Sequence, residues 1–204
     1  MVTNEINNPA DDIYITDTDA KSADKYTLAN IDYFKVVDAG GNDKYNISFS
    51  YGQIQDNGIG NDTYKISNMW QREYMSIFDQ GGKKDSLIIS DSTVDNLVFM
   101  ADLKQNGEYN SQDLLVYNIE RDSYIIIENF FLGDAYDIDG FGDGRIETIK
   151  AGKKTIKYNE SICDFFNTVK SDMTSWLDDN GGVMTVLNGN NEAAKEQLIA
   201  YFGN

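Results

Sequence analysis

Asp38-Ala39-Gly40-Gly41-Asn42-Asp43-Lys44-Tyr45-Asn46-Ile47 decides the fold, because its parts recur along the chain. Asp24-Lys25-Tyr26, Asp43-Lys44-Tyr45 and Asp62-Thr63-Tyr64 stand 19 residues apart. Two residues after each comes an aliphatic side chain: Leu28, Ile47 or Ile66. Glycine-rich turns, Gly40-Gly41-Asn42 and Gly58-Ile59-Gly60-Asn61, precede the second and third copies. A fixed short period marks a solenoid, in which each coil buries its apolar face only by stacking on its neighbours.

Counting aspartates from turn to turn extends the repeat. Asp38 leads to Asp43 through Gly40 and Gly41, Asp56 to Asp62 through Gly58 and Gly60, and Asp79 to Asp85 through Gly81 and Gly82. Asp17 and Asp19 lead to Asp24 without a glycine, which reads as a degenerate cap. A short strand is expected after each turn, at Tyr26–Leu28, Tyr45–Phe49, Tyr64–Ile66 and Leu87–Ile89. A second strand is expected in the other half of each coil, at Tyr33–Val37, Tyr51–Ile54, Tyr74–Phe78 and Leu97–Met100. Two strands and two turns in about 19 residues describe one coil of a parallel β-roll. The competing reading is a meander with ordinary Asp/Gly turns, which needs no metal. Ordinary turns, however, do not repeat a strand residue at constant spacing.

The turn chemistry nominates a ligand. Glycine lets the backbone bend tightly enough to aim carbonyls inward. Aspartate supplies hard oxygens, and that combination suits calcium. The candidate ligands are Asp38, Gly40, Asn42 and Asp43 in one turn, Asp56, Gly58, Gly60 and Asp62 in the next, and Asp79, Gly81 and Asp85 in the last. Composition points the same way. With 34 acidic and 17 basic residues the net charge is −17, a self-repulsion that divalent cations relieve. Such a surface repels nucleic acid phosphates and anionic membranes, so neither is expected as a partner. No run of 18 apolar residues suggests membrane insertion, and no apolar stretch near the N-terminus suggests a cleaved signal. The single cysteine, Cys163, excludes an internal disulfide and reads as a small buried residue. The chain has no histidine, which removes the usual general base and the commonest transition-metal ligand. Neither a Gly-x-Ser-x-Gly elbow nor a His-Glu-x-x-His motif occurs, so catalysis is not expected. Pro9 sits in a polar tail, Asn4–Asp12, expected to be disordered.

The glycine-aspartate turns resemble the calcium-binding nonapeptide repeats of the RTX (hemolysin-type) family, with the pattern Gly-Gly-x-Gly-x-Asp-x-hydrophobic-x. The matching segments are Gly40–Tyr45, Gly58–Tyr64 and Gly81–Leu87. Each copy lacks a glycine, and Lys83 and Lys84 bring positive charge into the last turn. Further on, Asp113-Leu114-Leu115-Val116-Tyr117, Asp122–Phe131 and Arg145-Ile146-Glu147-Thr148-Ile149 are similar to the hemolysin-type calcium-binding-related segment that follows RTX repeats. The strands expected there are Asn96–Met100, Leu114–Ile119, Tyr124–Phe131, Arg145–Ile149 and Thr155–Tyr158, continuing the roll and closing its apolar end. Between them, Asp134 to Gly144 places Asp137, Asp139 and Asp143 among glycines. An EF-hand register from Asp139 fails, because Phe141 and Lys150 fall where ligands belong. This loop either binds calcium in another geometry or is a solvated turn.

Three regions follow: residues 1–92, an RTX-like β-roll with its tail; 93–160, a β-rich continuation; and 161–204, a helical C-terminal segment. In the last, Ile162, Phe165, Phe166, Val169, Met173, Trp176 and Leu177 recur at helical spacing, and a second helix is expected over Asn191–Phe202 after a break at Asn180-Gly181-Gly182. The expected fold is mainly all-β, a parallel β-roll solenoid with a small helical cap. The resemblance implies a non-catalytic calcium-binding module. It would fold on calcium binding and support type I (ABC transporter) secretion of a larger toxin, adhesin or hydrolase, with the C-terminal segment as export signal. The implied location is secreted or at the cell surface. The alternative is a stand-alone calcium-dependent adhesion or glycan-binding protein, and a large exposed aromatic patch on one face of the roll would favour it.

Overall fold

A computed structural model describes residues 3–7, 12–69, 73–101, 113–130, 146–157, 176 and 179–202. The chain winds into a parallel β-solenoid. A leading coil, ahead of the sequence repeat, is made by β1 (Thr3–Asn7) and β2 (Asp12–Thr16), both parallel to β3 (Lys25–Asp38). β3 and β4 (Lys44–Asp56), the first and second coils of the repeat, each run through both halves of a coil and pair with one another in parallel over their length. The third coil comprises β5 (Thr63–Ser67) and β6 (Tyr74–Asp79), and the fourth opens with β7 (Ser86–Ile89). Side chains alternate inward and outward along β3, the period of a strand with one buried face. Tyr26, Leu28, Phe34 and Val36 therefore enter the core, and Tyr45, Ile47 and Ile54 stack beneath them.

The register holds because insertions are confined to corners. Tyr26 pairs with Tyr45, Tyr45 with Tyr64, and Tyr64 with Leu87. The step lengthens to 23 residues between Asp62 and Asp85, yet the strands stay in line. At the corner opposite the glycine turns, Asn30 and Asn68 adopt positive φ (56° and 52°), a conformation asparagine tolerates better than most residues.

Two expectations are corrected here. The polar N-terminal stretch was expected to lack order, but Thr3–Asn7 and Asp12–Thr16 are strands. Pairing with β3 satisfies their backbone groups, and Ile6, Ile13 and Ile15 pack against the core, which outweighs the polar composition. Leu97–Met100 was expected to complete the fourth coil. It forms β8 (Leu97–Ala101), which is antiparallel to β9 (Leu114–Asn118). The second half of that coil is instead β10 (Ser123–Ile127), parallel to β6 and antiparallel to β9.

At the far end the chain changes to antiparallel pairing. β11 (Thr148–Ala151) continues the first face beside β7 and pairs with β12 (Lys154–Lys157) in a hairpin. Two short helices, α1 (Val183–Asn188) and α2 (Glu192–Phe202), add Val183, Val186, Leu187, Ala194 and Leu198 to the core. No described helix is long and apolar enough to cross a membrane.

Candidate metal centre

The glycine turns stack directly on one another. A Cβ on Gly58 would lie 2.2 Å from the Cα of Gly40, and one on Gly60 would lie 1.8 Å from the carbonyl oxygen of Gly41. These glycines are therefore required by coil-to-coil approach as well as by bending. Within each turn an aspartate folds back on the backbone two residues on. Asp38 Oδ1 accepts from the Gly40 N–H at 2.9 Å, Asp56 Oδ1 from Gly58 at 3.2 Å and Asp79 Oδ1 from Gly81 at 2.8 Å. The other oxygen of each accepts a buried phenol. Tyr26 donates to Asp38 Oδ2 at 2.5 Å, Tyr45 to Asp56 Oδ2 at 2.9 Å and Tyr64 to Asp79 Oδ2 at 2.7 Å. The three rings stack 5.0 Å apart and nearly parallel inside the solenoid.

A second column of aspartates ties each coil to the next. The Asp24 N–H donates to Asp43 Oδ1, Asp43 N–H to Asp62 Oδ1 and Asp62 N–H to Asp85 Oδ1, each at 2.6 Å. Glu147 extends the column, accepting from Asp85 N–H at 2.6 Å. The Asp-x-Tyr repeat thus builds both columns at once: its aspartate caps the preceding coil, and its tyrosine crosses the interior to the aspartate that opens the next turn.

The two columns converge into three buried triads: Asp24, Asp38 and Asp43; Asp43, Asp56 and Asp62; Asp62, Asp79 and Asp85. In each, one carboxylate oxygen per residue lies within 4.8 Å of the others. The Oδ2 atoms of Asp43 and Asp62 are buried and have no hydrogen-bond partner among the described residues. An acceptor in that position calls for a proton or a cation. Burial, reinforced by neighbouring carboxylates and opposed by the backbone hydrogen bonds, pushes Asp43 up to about 7 and Asp62 up to about 9. Burial and the facing carboxylates likewise raise Asp56 and Asp79 to about 7 each, against the pull of their tyrosine and glycine donors. Burial and the adjacent aspartates raise Tyr26, Tyr45 and Tyr64 above the ordinary phenol range, so these phenols remain donors. An all-carboxylate donor set fits a hard cation, and each triad could hold a metal ion.

Of the residues nominated from sequence, Asp38, Asp43, Asp56, Asp62, Asp79 and Asp85 meet in the triads. Gly40, Gly58 and Gly81 contribute N–H donors to them, while Gly60 bridges to Gly82 of the next turn. Asn42 is exposed, and its amide oxygen accepts from the Asn61 N–H at 2.8 Å, outside the triads. Asp137, Asp139 and Asp143 lie outside the described residues. Asp24 was set aside as part of a degenerate turn, yet it belongs to the first triad. Its place in the Asp-x-Tyr repeat was the available signal, because its N–H donates to Asp43 as the N–H groups of Asp43 and Asp62 donate to the next aspartates. The tyrosine hydroxyls carry no such signal, because Tyr26 and Asp38, Tyr45 and Asp56, and Tyr64 and Asp79 stand 12, 11 and 15 residues apart.

No protein-family model matches the chain, and no curated protein matches it. The chain is a parallel β-solenoid with stacked aspartate-rich turns, an architecture compatible with an RTX β-roll.

Proposed function

We propose that this chain is a non-catalytic calcium-binding module of RTX type, which completes its folding when calcium enters the aspartate triads. The observation that carries this reading is the set of buried triads with open oxygens at Asp43 and Asp62. Asp43 and Asp62 each serve two triads, so they are the residues through which neighbouring ions would be linked. Bound calcium would supply the positive charge that the carboxylates lack. The chain's own residues hold the oxygens in place through the backbone bonds and the tyrosine hydroxyls. Calcium is favoured over softer metals because the triads offer oxygen alone. In the larger setting, the module would belong to a toxin, adhesin or hydrolase exported by a type I system. It would stay loosely folded at low cytosolic calcium and fold outside the cell.

The test uses terbium as a calcium mimic. Tyr26, Tyr45 and Tyr64 each donate a hydrogen bond to one aspartate of a different triad, so a lanthanide held in any triad lies next to a phenol. Tyrosine excitation is expected to sensitise terbium emission, calcium to quench it by competition, and Asp62→Asn to weaken the response far more than Asp95→Asn, an exposed control. Equal titrations for the two variants would rule out the triads as the binding site.

A further inference from the structure

A second tyrosine column runs along the outside of the solenoid. Tyr74 and Tyr124 are register partners with parallel rings 5.5 Å apart. Gly52 pairs with Met75, which sets Tyr51 beside Tyr74, and Tyr51 meets Tyr33 at 5.6 Å. Tyr14, from the leading coil, extends the column at 6.2 Å from Tyr33. Tyr14 and Tyr74 are 68% and 47% exposed, whereas Tyr124 is buried. At Tyr124 the column ends beside a cavity of about 150 Å³ between the β9–β10 hairpin and the helices.

The cavity is lined by groups that both donate and accept. Tyr117 donates to Asp122 Oδ1 at 2.6 Å, and Lys195 Nζ reaches the same oxygen at 2.9 Å. Tyr124 donates to Asn188 Oδ1 at 3.3 Å, on the facing helix. The Lys195 side chain is only 9% exposed, so the pair is built into the protein and is no chance surface contact.

We propose that this cavity binds the terminal sugar of a neutral glycan whose chain leaves along the exposed tyrosines. A glycan presents C–H groups to exposed aromatic rings, which Tyr74 and Tyr14 offer, and hydroxyls that need both donors and acceptors, which the cavity offers. Asp122 and Lys195 pair with each other, and Glu192 near Tyr117 adds negative charge, so nothing here holds an anionic ligand. Asp12, Asp32 and Glu73 lie around Tyr51 on the approach, and they repel glycans bearing uronate or sulfate. A basic peptide would also be attracted to those carboxylates, but it would use charge and not the row of exposed rings, and it is one arm of the test below. None of these residues belongs to the aspartate triads, so this site stands or falls independently of the calcium reading.

The experiment is calorimetric titration of the full chain with maltohexaose, cellohexaose and chitohexaose, beside hexagalacturonate and an arginine-rich peptide. Binding of at least one neutral oligosaccharide is expected. Asn188→Leu and Tyr74→Ala should each weaken it roughly ten-fold, as loss of one good contact does. Tyr74 is exposed, so its variant keeps the fold and the test even if the Asn188 variant unfolds. No binding by any neutral probe would overturn the proposal. Tighter binding of the acidic glycan or of the peptide, or unchanged affinity in Tyr74→Ala, would overturn it equally.

Discussion

At the scale of single residues, the turn is a set of mutual obligations. Asp56 accepts from Gly58 N–H and from the Tyr45 hydroxyl, and both bonds are buried. Tyr45→Phe keeps the stacked ring and removes only the donor to Asp56 Oδ2. A buried carboxylate oxygen left unmatched costs about 1–3 kcal/mol, so the variant's urea midpoint should fall accordingly in cation-free buffer. An unchanged midpoint would mean that Asp56 is protonated and needs no donor. Gly58→Ala tests stacking alone, because the added Cβ would sit 2.2 Å from Gly40 Cα with backbone on both sides. Overpacking of this kind costs about 1–3 kcal/mol, and backbone that cannot move puts the expected loss at the upper end. The aspartates and glycines were legible in the sequence because they recur within short, regular turns. The phenol-to-carboxylate bonds were not, because Tyr45 and Asp56 are partners across the interior of the coil, and no local pattern marks a contact of that kind.

At the scale of elements, the solenoid separates what is local from what is not. The parallel strands of the first three coils repeat in sequence, and their register follows from the repeat. The fourth coil escapes that logic. Its second strand, β10, lies beyond a hairpin partner, and β8 carries the same apolar pattern as a coil strand while pairing antiparallel at the edge. Periodicity reports that a strand is half buried, not which neighbour it takes. β3 and β4 are flanked on both sides, whereas β1, β2, β8 and β12 each have one neighbour among the described residues. Amide exchange should therefore be slowest in β3 and β4 and fastest in those four edges, and uniform protection would contradict this assembly. The aspartate columns make stability depend on pH. Folding raises Asp43, Asp56 and Asp79 to about 7 and Asp62 to about 9. An unfolded aspartate titrates near about 3.9. Between those limits the cation-free folded state holds more protons than the unfolded state, so the contribution of these groups is full at about pH 4 and is lost as pH climbs to about 9. Denaturation of cation-stripped protein should show a higher midpoint at pH 5 than at pH 8, and the reverse order would contradict the burial of these carboxylates.

At the scale of the whole molecule, 34 acidic against 17 basic residues raise a question that the triads can answer: whether cations act by screening or by binding. Monovalent salt screens exposed charges over a Debye length of about 10 Å at 0.1 M. It does little for carboxylates that are buried, as all six of Asp38, Asp43, Asp56, Asp62, Asp79 and Asp85 are. A bound ion acts on those groups directly. At ten times its dissociation constant, one site adds about 1.4 kcal/mol. Extracellular calcium modules bind at about 10⁻⁴–10⁻³ M, so millimolar calcium is enough to populate such sites. The triads share Asp43 and Asp62, so their occupancies are coupled and the gain is not a simple sum. The melting temperature should therefore rise much further in millimolar calcium chloride than in sodium chloride of equal ionic strength, and Asp62→Asn should remove most of that difference. If the two salts stabilise equally, the charge matters only as a diffuse surface field, and the stacked aspartates are held by protons. If calcium alone acts and Asp62→Asn abolishes the effect, the same carboxylates that destabilise the empty solenoid near neutral pH are what make its folding responsive to calcium.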